Sequence, residues 1–274
     1  MLAYISELFQ KWHVDCFAPI PLSACNIKKP YLLEREGITD GTAIIIAIPY
    51  VTPHCDVPNR NISAYAVSKN YHAFFDVFFA DVLPRLRESF PQNHFVGFAD
   101  HSPIAEVEAA SRAGLGVIGK NHLLLTDRYS SYIFLGELIT DATIPCKLSE
   151  IRECENCGAC TSACPAAELG TCLSALTQKK GSYTEQEASA IRRYGSAWGC
   201  DICQEVCPHS VRARQSKRIY TPIPYFYEDP ISVLTLKGLD EMDDEHFLTR
   251  AFSWRGRDTI RRNLKLLEEG EREC

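Results

Sequence analysis

Cys154-Glu-Asn-Cys157-Gly-Ala-Cys160-Thr-Ser-Ala-Cys164-Pro165 decides the reading of this chain. The run fits C-x2-C-x2-C-x3-C-P without a mismatch. At such short spacing three thiolates can wrap one iron–sulfur cubane, and Gly158 and Ala159 let the backbone curl close to it. The fourth cysteine is carried away toward a second cluster, with Pro165 setting the turn. Zinc sites usually pair two C-x2-C units and have no use for further cysteines at this spacing.

Working outward, Cys200-Asp-Ile-Cys203-Gln-Glu-Val-Cys207-Pro208 repeats the last three-quarters of the pattern and lacks its first cysteine. Cys172 is the obvious supplier of the missing thiolate. The ligand-swapping rule of two-cluster ferredoxins then gives Cys154, Cys157, Cys160 and Cys207 to one [4Fe–4S] cluster, and Cys164, Cys172, Cys200 and Cys203 to the other. Of the thirteen cysteines, Cys16, Cys25, Cys55, Cys146 and Cys274 show no ligand spacing and read as small apolar residues or a tail thiol.

Thirteen cysteines in 274 residues point to metal, not to disulfides, if the compartment is reducing. The N-terminus lacks a basic region before an apolar stretch, so no signal peptide is expected. No apolar run approaches the length of a membrane span. A cytoplasmic protein with no membrane partner is the expectation. Formal charge is −6. Eight thiolates and two oxidised cluster cores would take it to roughly −10. A nucleic-acid partner would therefore need a local basic patch.

The cysteine-rich part is preceded by about 150 residues with their own pattern. Thr42–Pro49 is an apolar, β-branched run that reads as a buried strand. Ser63–Phe90 reads as helix, with Phe74, Phe75, Phe78, Phe79, Val82 and Leu83 at helical spacing and Pro84 as a kink or break. His94–Phe98 suggests a short strand. Ser102 is the expected N-cap of a helix with Pro103 first, running to Ala113 and stopped by Gly114. Leu123–Leu125 and Tyr132–Leu138 suggest a hairpin. From Glu241 onward the chain reads as helical and charged. The fold class is α+β: an α/β domain over residues 1–148, a ferredoxin-like domain with two [4Fe–4S] clusters over 149–222, and a helical tail over 223–274. Gly114-x-Gly116-x-x-Gly119 follows a helix, which argues against a dinucleotide fingerprint, and Lys120-Asn121 does not complete a P-loop.

A longer set of strings carries a family resemblance. Ala99-Asp100-His-Ser-Pro-Ile-Ala-Glu106, Arg112-Ala-Gly-Leu-Gly-Val-Ile-Gly-Lys-Asn121, Tyr132-Ile-Phe-Leu-Gly-Glu-Leu138, Cys172-Leu-Ser-Ala-Leu-Thr-Gln-Lys-Lys-Gly181 and Gly199–Pro208 occur in the order and at the distances of the epoxyqueuosine reductase (QueG-type) family. Arg261-Arg262-Asn263 is a weaker echo. The resemblance implies reduction of epoxyqueuosine to queuosine in tRNA, with cobalamin beside two [4Fe–4S] clusters and no protein histidine as lower cobalt ligand. It makes the first domain the cobalamin-binding one. It places Asp100 at the family's proton donor, and Ser63, His72, Asn121, Leu124, Leu135, Ser174 and Asp201 around the cobalamin. Implied partners are tRNA carrying epoxyqueuosine in its anticodon loop and a low-potential electron donor.

The chain departs from the family at three points. The Cys164–Cys172 interval is short, Asn70 stands where the family has an acid before Tyr-His, and the C-terminal helical repeats of longer members are not expected here. RNA docking would then fall to Lys179 and Lys180, to Arg212, Arg214, Lys217 and Arg218, and to Arg255, Arg257, Arg261 and Arg262. Two other readings fit the cysteines: another corrinoid reductase of dehalogenase type, or a ferredoxin-like electron carrier.

Overall fold

A computed structural model describes the backbone of residues 1–272 and side chains through Glu269, so Cys274 lies outside the described residues. The chain divides into two compact units, each discontinuous in sequence. The first comprises residues 1–49, 72–157 and 212–223; the second comprises 50–71, 158–211 and 224–274.

The first unit is built on a sheet. Its elements in chain order are α1 (Leu2–Lys11), β1 (Phe17–Pro21), α2 (Pro30–Arg35), β2 (Thr42–Pro49), α3 (Tyr71–Ser89), β3 (Phe95–Ala99), α4 (Glu106–Arg112), β4 (Val117–Ile118), β5 (Leu124–Leu125) and β6 (Ile133–Thr140). Four strands pair in the order β1-β2-β6-β3, every pair antiparallel. The run Thr42–Pro49 forms β2 and is buried at every position, because both sheet faces are covered. On one face α3 lays down Phe75 and Phe79, and Phe78 meets Phe9 of α1 at 5.2 Å between ring centres. Gly136 of β6 lets this layer approach, since a Cβ there would strike the Phe75 ring. On the other face Ala109 and Ala110 of α4 pack with Ile20, Ala43, Ile45, Phe98, Leu124 and Ile139. Helices on an antiparallel sheet agree with the α+β class.

Three sequence expectations are corrected here. The helix expected from Ser63 begins at Tyr71. Upstream amides are taken by tertiary partners: Ser63 N–H by Trp198 O at 2.7 Å, Ala64 N–H by the Asp201 carboxylate at 2.6 Å, and Asn70 N–H by Thr249 O at 2.8 Å. The helix continues through Pro84. Ser102 does not cap α4, which starts at Glu106 after Ala105. Residues 103–105 are held to the segment before α2: Lys28 N–H and Lys29 N–H donate to Pro103 O, and Ala105 N–H donates to Asn26 O. Leu124–Leu125 and Ile133–Thr140 do not form a hairpin. The first pairs with β4 and the second with β2 and β3, while Thr126 and Ser130 close a local turn.

The second unit is helical: α5 (Ala159–Ser162), α6 (Leu173–Thr177), α7 (Glu185–Tyr194), α8 (Ile202–Glu205), α9 (Pro208–Gln215, whose last residues belong to the first unit), α10 (Leu236–Glu241), α11 (Asp244–Leu248) and α12 (Arg257–Arg272). Its short helices alternate with the cysteines. A small core of Ala166, Leu173, Leu176 and Ile191 takes in Leu266 and Leu267 of α12. The charged tail thus supplies one apolar face to that core. No helix among the described residues is long and apolar enough to cross a membrane.

Candidate functional site

Asp100 follows β3 in a left-handed conformation, φ 61°. An L-residue there is strained unless its surroundings hold it. Its Oδ2 stands 3.1 Å from His72 Nε2, both side chains being about half exposed. That contact is the first cause of a raised His72 pKa, followed by burial acting against it. The contact therefore favours the protonated imidazole. Next to them His101 is bracketed by Lys29 Nζ at 3.2 Å and Tyr31 OH at 3.1 Å. A cavity of about 280 Å³ opens beside this group, lined by Arg35, His72, Phe75, Asp76, Phe98 and His101 among others.

Other sequence-derived residues of the first unit gather around α4 and β4. Leu124 and Leu135 pack in the apolar layer under α4. Asn121 lies in the turn before β5. Its Oδ1 accepts from Leu123 N–H at 3.4 Å, and its Nδ2 is buried with no partner among the described residues. An orphaned buried donor fits a polar group of a bound cofactor. One residue away, Lys120 N–H donates to Cys154 Sγ at 3.3 Å. Cys157 is exposed in the same unit.

In the second unit Cys160 lies in α5, Cys164 just after it, Cys172 at the N-cap of α6, Cys203 in α8, and Cys207 just before α9. All described cysteines are free thiols. Burial pushes the Cys200 thiol up to about 12, and Asp201, Cys203 and Cys172 press in the same direction. Cys172, Cys200 and Cys203 are therefore electrostatic neighbours. Among the described residues no three His, Cys, Asp or Glu side chains are drawn to the spacing of a single ion. An all-thiol donor set suits iron–sulfur.

Ser63 and Asp201 meet directly: the Ser63 hydroxyl donates to Asp201 Oδ1 at 2.6 Å, and both residues are buried. Asp201 also accepts from Arg60 at 2.7 Å, Ala64 N–H at 2.6 Å and Gln204 at 3.0 Å. Gly199 makes this approach possible, because a Cβ there would lie 2.5 Å from Ser63 Cβ. The Ser174 hydroxyl accepts from Gln178 at 3.2 Å. Sequence reasoning had no signal for Arg60, whose role appears only through its partners.

Asn263 holds the segments that carry the second cysteine motif. Fully buried, it donates to Thr177 O at 2.7 Å and Ala197 O at 2.8 Å, and accepts from the Tyr183 hydroxyl at 2.8 Å. The Thr177 hydroxyl in turn accepts from Gly199 N–H at 2.8 Å, next to Cys200. Four of the cations expected to dock RNA have partners within the chain. Lys179 pairs with Glu187, Arg261 with Asp240 and Asp258, Arg257 with Leu239 O, Asp243 O and Asp244, and Arg262 with Gly181 O and Tyr183. Lys180, Arg212, Lys217 and Arg218 stay exposed.

No protein-family model matches the chain. Individual relatives do. The epoxyqueuosine reductase of Gloeobacter violaceus is 32% identical over 216 residues, covering 75% of this chain and 68% of that protein. The chain belongs to the epoxyqueuosine reductase family. The Synechocystis sp. epoxyqueuosine reductase is 30% identical over 221 residues, 76% of each chain. These relatives are oxidoreductases. Solved epoxyqueuosine reductases share the fold: the Streptococcus thermophilus protein superposes with a TM-score of 0.78 at 22% identity over 99% of this chain and 81% of its own. A family structure bound to an epoxyqueuosine-modified tRNA-Tyr stem loop gives 0.77 at 23% identity, over 97% and 80%.

Proposed function

We propose that this chain reduces epoxyqueuosine to queuosine in tRNA, using cobalamin and two [4Fe–4S] clusters held by the eight cysteines assigned from their spacing. Relatives of that name at 30–32% identity over three-quarters of the chain carry the reading. The family complex with a modified tRNA stem loop supports tRNA as the substrate. On this reading residues 1–148 bind cobalamin, 149–222 hold the clusters and 223–274 form a helical tail. The setting is cytoplasmic, and a low-potential donor supplies the electrons.

Opening the epoxide to an alkene removes one oxygen as water and consumes two electrons and two protons. When bound, the clusters supply electrons singly and cobalamin supplies a reducible metal centre. Asp100 releases a proton to the departing oxygen, and His72 holds the carboxyl in place and shares that proton. A Bacillus subtilis family structure solved with an aspartate-bearing catalytic loop swung out of its active site agrees with a mobile acid of this kind. Asn121 offers its free amide to the cofactor, and Leu124 and Leu135 offer it apolar surface. Ser63, Ser174 and Asp201 complete the contacts we assign to it. Exposed Arg212, Lys217 and Arg218 serve the phosphates, so binding weakens steeply with salt.

The test is nucleoside mass spectrometry on epoxyqueuosine-containing tRNA, incubated anaerobically with cluster-loaded protein, cobalamin and a strong reductant. Conversion should require cobalamin and fall about 100-fold or more in Asp100→Asn. No conversion by protein holding about eight irons would sink the reading in favour of another corrinoid substrate or simple electron transfer.

A further inference from the structure

Arg60 meets two acids of the second cysteine motif, and none of the steps above uses it. Its guanidinium donates to Asp201 Oδ2 at 2.7 Å through one nitrogen and to Glu205 Oε1 at 2.7 Å through another. Asp201 lies between Cys200 and Cys203, and Glu205 is two residues beyond Cys203. Two further bonds fix the arginine from its own side of the contact: Nε donates to Cys55 O at 2.9 Å and Nη1 to Ile62 O at 2.5 Å. The Asp201 side chain is 2% exposed and that of Arg60 11%, whereas Glu205 is 44% exposed and open to water. The other donors to Asp201 are the Ser63 hydroxyl, Ala64 N–H and the Gln204 amide, which bring no net charge. A cavity of about 90 Å³ adjoins the group, and the charged residues lining it are Arg60, Asp201 and Glu205. Cys200 lines the same cavity. Arg60, both acids and the four cysteines assigned to the second cluster all belong to the second unit.

Consecutive Cα atoms are about 3.8 Å apart, so the Asp201 carboxylate lies within roughly 10 Å of the Cys200 sulfur. Reduction brings one electron, and so one negative charge, to a cluster that is already negative with its four thiolates, and nearby charge helps to set the potential at which this happens. A buried anion beside a ligand opposes the electron, and a cation held against that anion cancels the opposition. Water screens Glu205, so its charge bears weakly on the cluster.

We propose that Arg60 is a positioning residue for the second [4Fe–4S] cluster: by neutralising the buried Asp201 between two cluster ligands, it holds that cluster's reduction potential high enough for the low-potential donor to fill it. The inference rests on the second cluster proposed for Cys164, Cys172, Cys200 and Cys203. Arg60 touches no substrate and acts through Asp201.

Two substitutions should move the potential in opposite directions. Arg60→Met leaves the Asp201 charge uncompensated, and Asp201→Asn leaves Arg60 without its buried counter-charge. The readout is a redox titration of cluster-loaded protein followed by electron paramagnetic resonance at about pH 8, above the carboxylate range. The second cluster's signal is assigned by its loss in Cys200→Ser. At a fixed applied potential Arg60→Met should lower the reduced-to-oxidised ratio of the second cluster about tenfold, a downward shift of about 59 mV, as expected for a unit charge at roughly 10 Å in a partly screened interior. Asp201→Asn should raise the ratio by a similar factor. The double variant replaces a buried pair with neutral groups, which proteins commonly tolerate, and should return to within about threefold of the parent. Arg60→Lys keeps the charge while losing the planar fork, and should stay near the parent ratio. A purely structural role gives no pair of opposite shifts that cancel. If Arg60→Met takes up only about four irons, Asp201→Asn and the double variant decide. An unmoved potential in Asp201→Asn, or shifts of one sign in both single variants, overturns the proposal. If no form converts epoxyqueuosine, the proposed function fails, while the titration still decides the part played by Arg60.

Discussion

Replacing Asn263 by alanine tests whether α12 holds the cysteine segments of the second unit. The side chain is fully buried, and its Nδ2 is shared between Thr177 O and Ala197 O at 2.7 and 2.8 Å. Alanine removes both donors at once. A buried polar group left unpaired costs about 1–3 kcal/mol. Tyr183 OH loses an acceptor but keeps Leu176 O at 2.9 Å, so its share is small. Two carbonyls at the middle of that range give a loss of about 3–4 kcal/mol, a large fraction of the stability of an ordinary domain. The loss has a functional address, because the Thr177 hydroxyl accepts from Gly199 N–H beside Cys200. Denaturant unfolding of cluster-loaded protein, together with iron per chain, measures both effects. Lys265→Ala, on an exposed position of the same helix, is the control and should change stability by less than about 0.5 kcal/mol. Asn263→Ala within about 1 kcal/mol of the parent, and with full iron, would refute the reasoning.

Cys172→Ser should lower reconstituted iron from about eight to about four per chain, with the spectrum of one [4Fe–4S] cluster remaining; full iron content would remove Cys172 from the ligand set. His72 has a raised folded-state pKa, so its contribution to stability is complete below the ordinary histidine value of 6.5 and disappears as pH rises through the raised midpoint. Both partners are exposed, so the effect is small, and the melting-temperature difference between the parent and Asp100→Asn should be greatest near about pH 5.5 and vanish at alkaline pH. Glu137 is also raised, so folding stability should fall as pH rises above the usual glutamate value of 4.5, and Glu137→Gln should flatten that decline in melting curves recorded across pH.

Local chemistry made part of this molecule legible in the sequence. The cysteine spacings need no tertiary knowledge, because a cubane sets short loop lengths on whatever chain wraps it. The apolar run of β2 announced a strand covered on both faces, and Gly114 follows the end of α4 as expected, with φ 86°. Asp100 could be singled out only through a longer string of matched motifs.

Tertiary structure decided the rest, because distant partners compete with local preference. The stretch 63–70 has helical periodicity, yet its amides go to Trp198, Asp201 and Thr249, so the helix waits until Tyr71. Ser102 has the chemistry of a cap, but the pairing of residues 103–105 with the segment before α2 moves the helix start to Glu106. Lys179, Arg257, Arg261 and Arg262 read as a basic surface, but the fold gives each an internal partner. Glu106 and Glu137 stand 31 positions apart and look like ordinary acids. Only the sheet and the helix laid across it remove their water, and that burial raises the pKa of both.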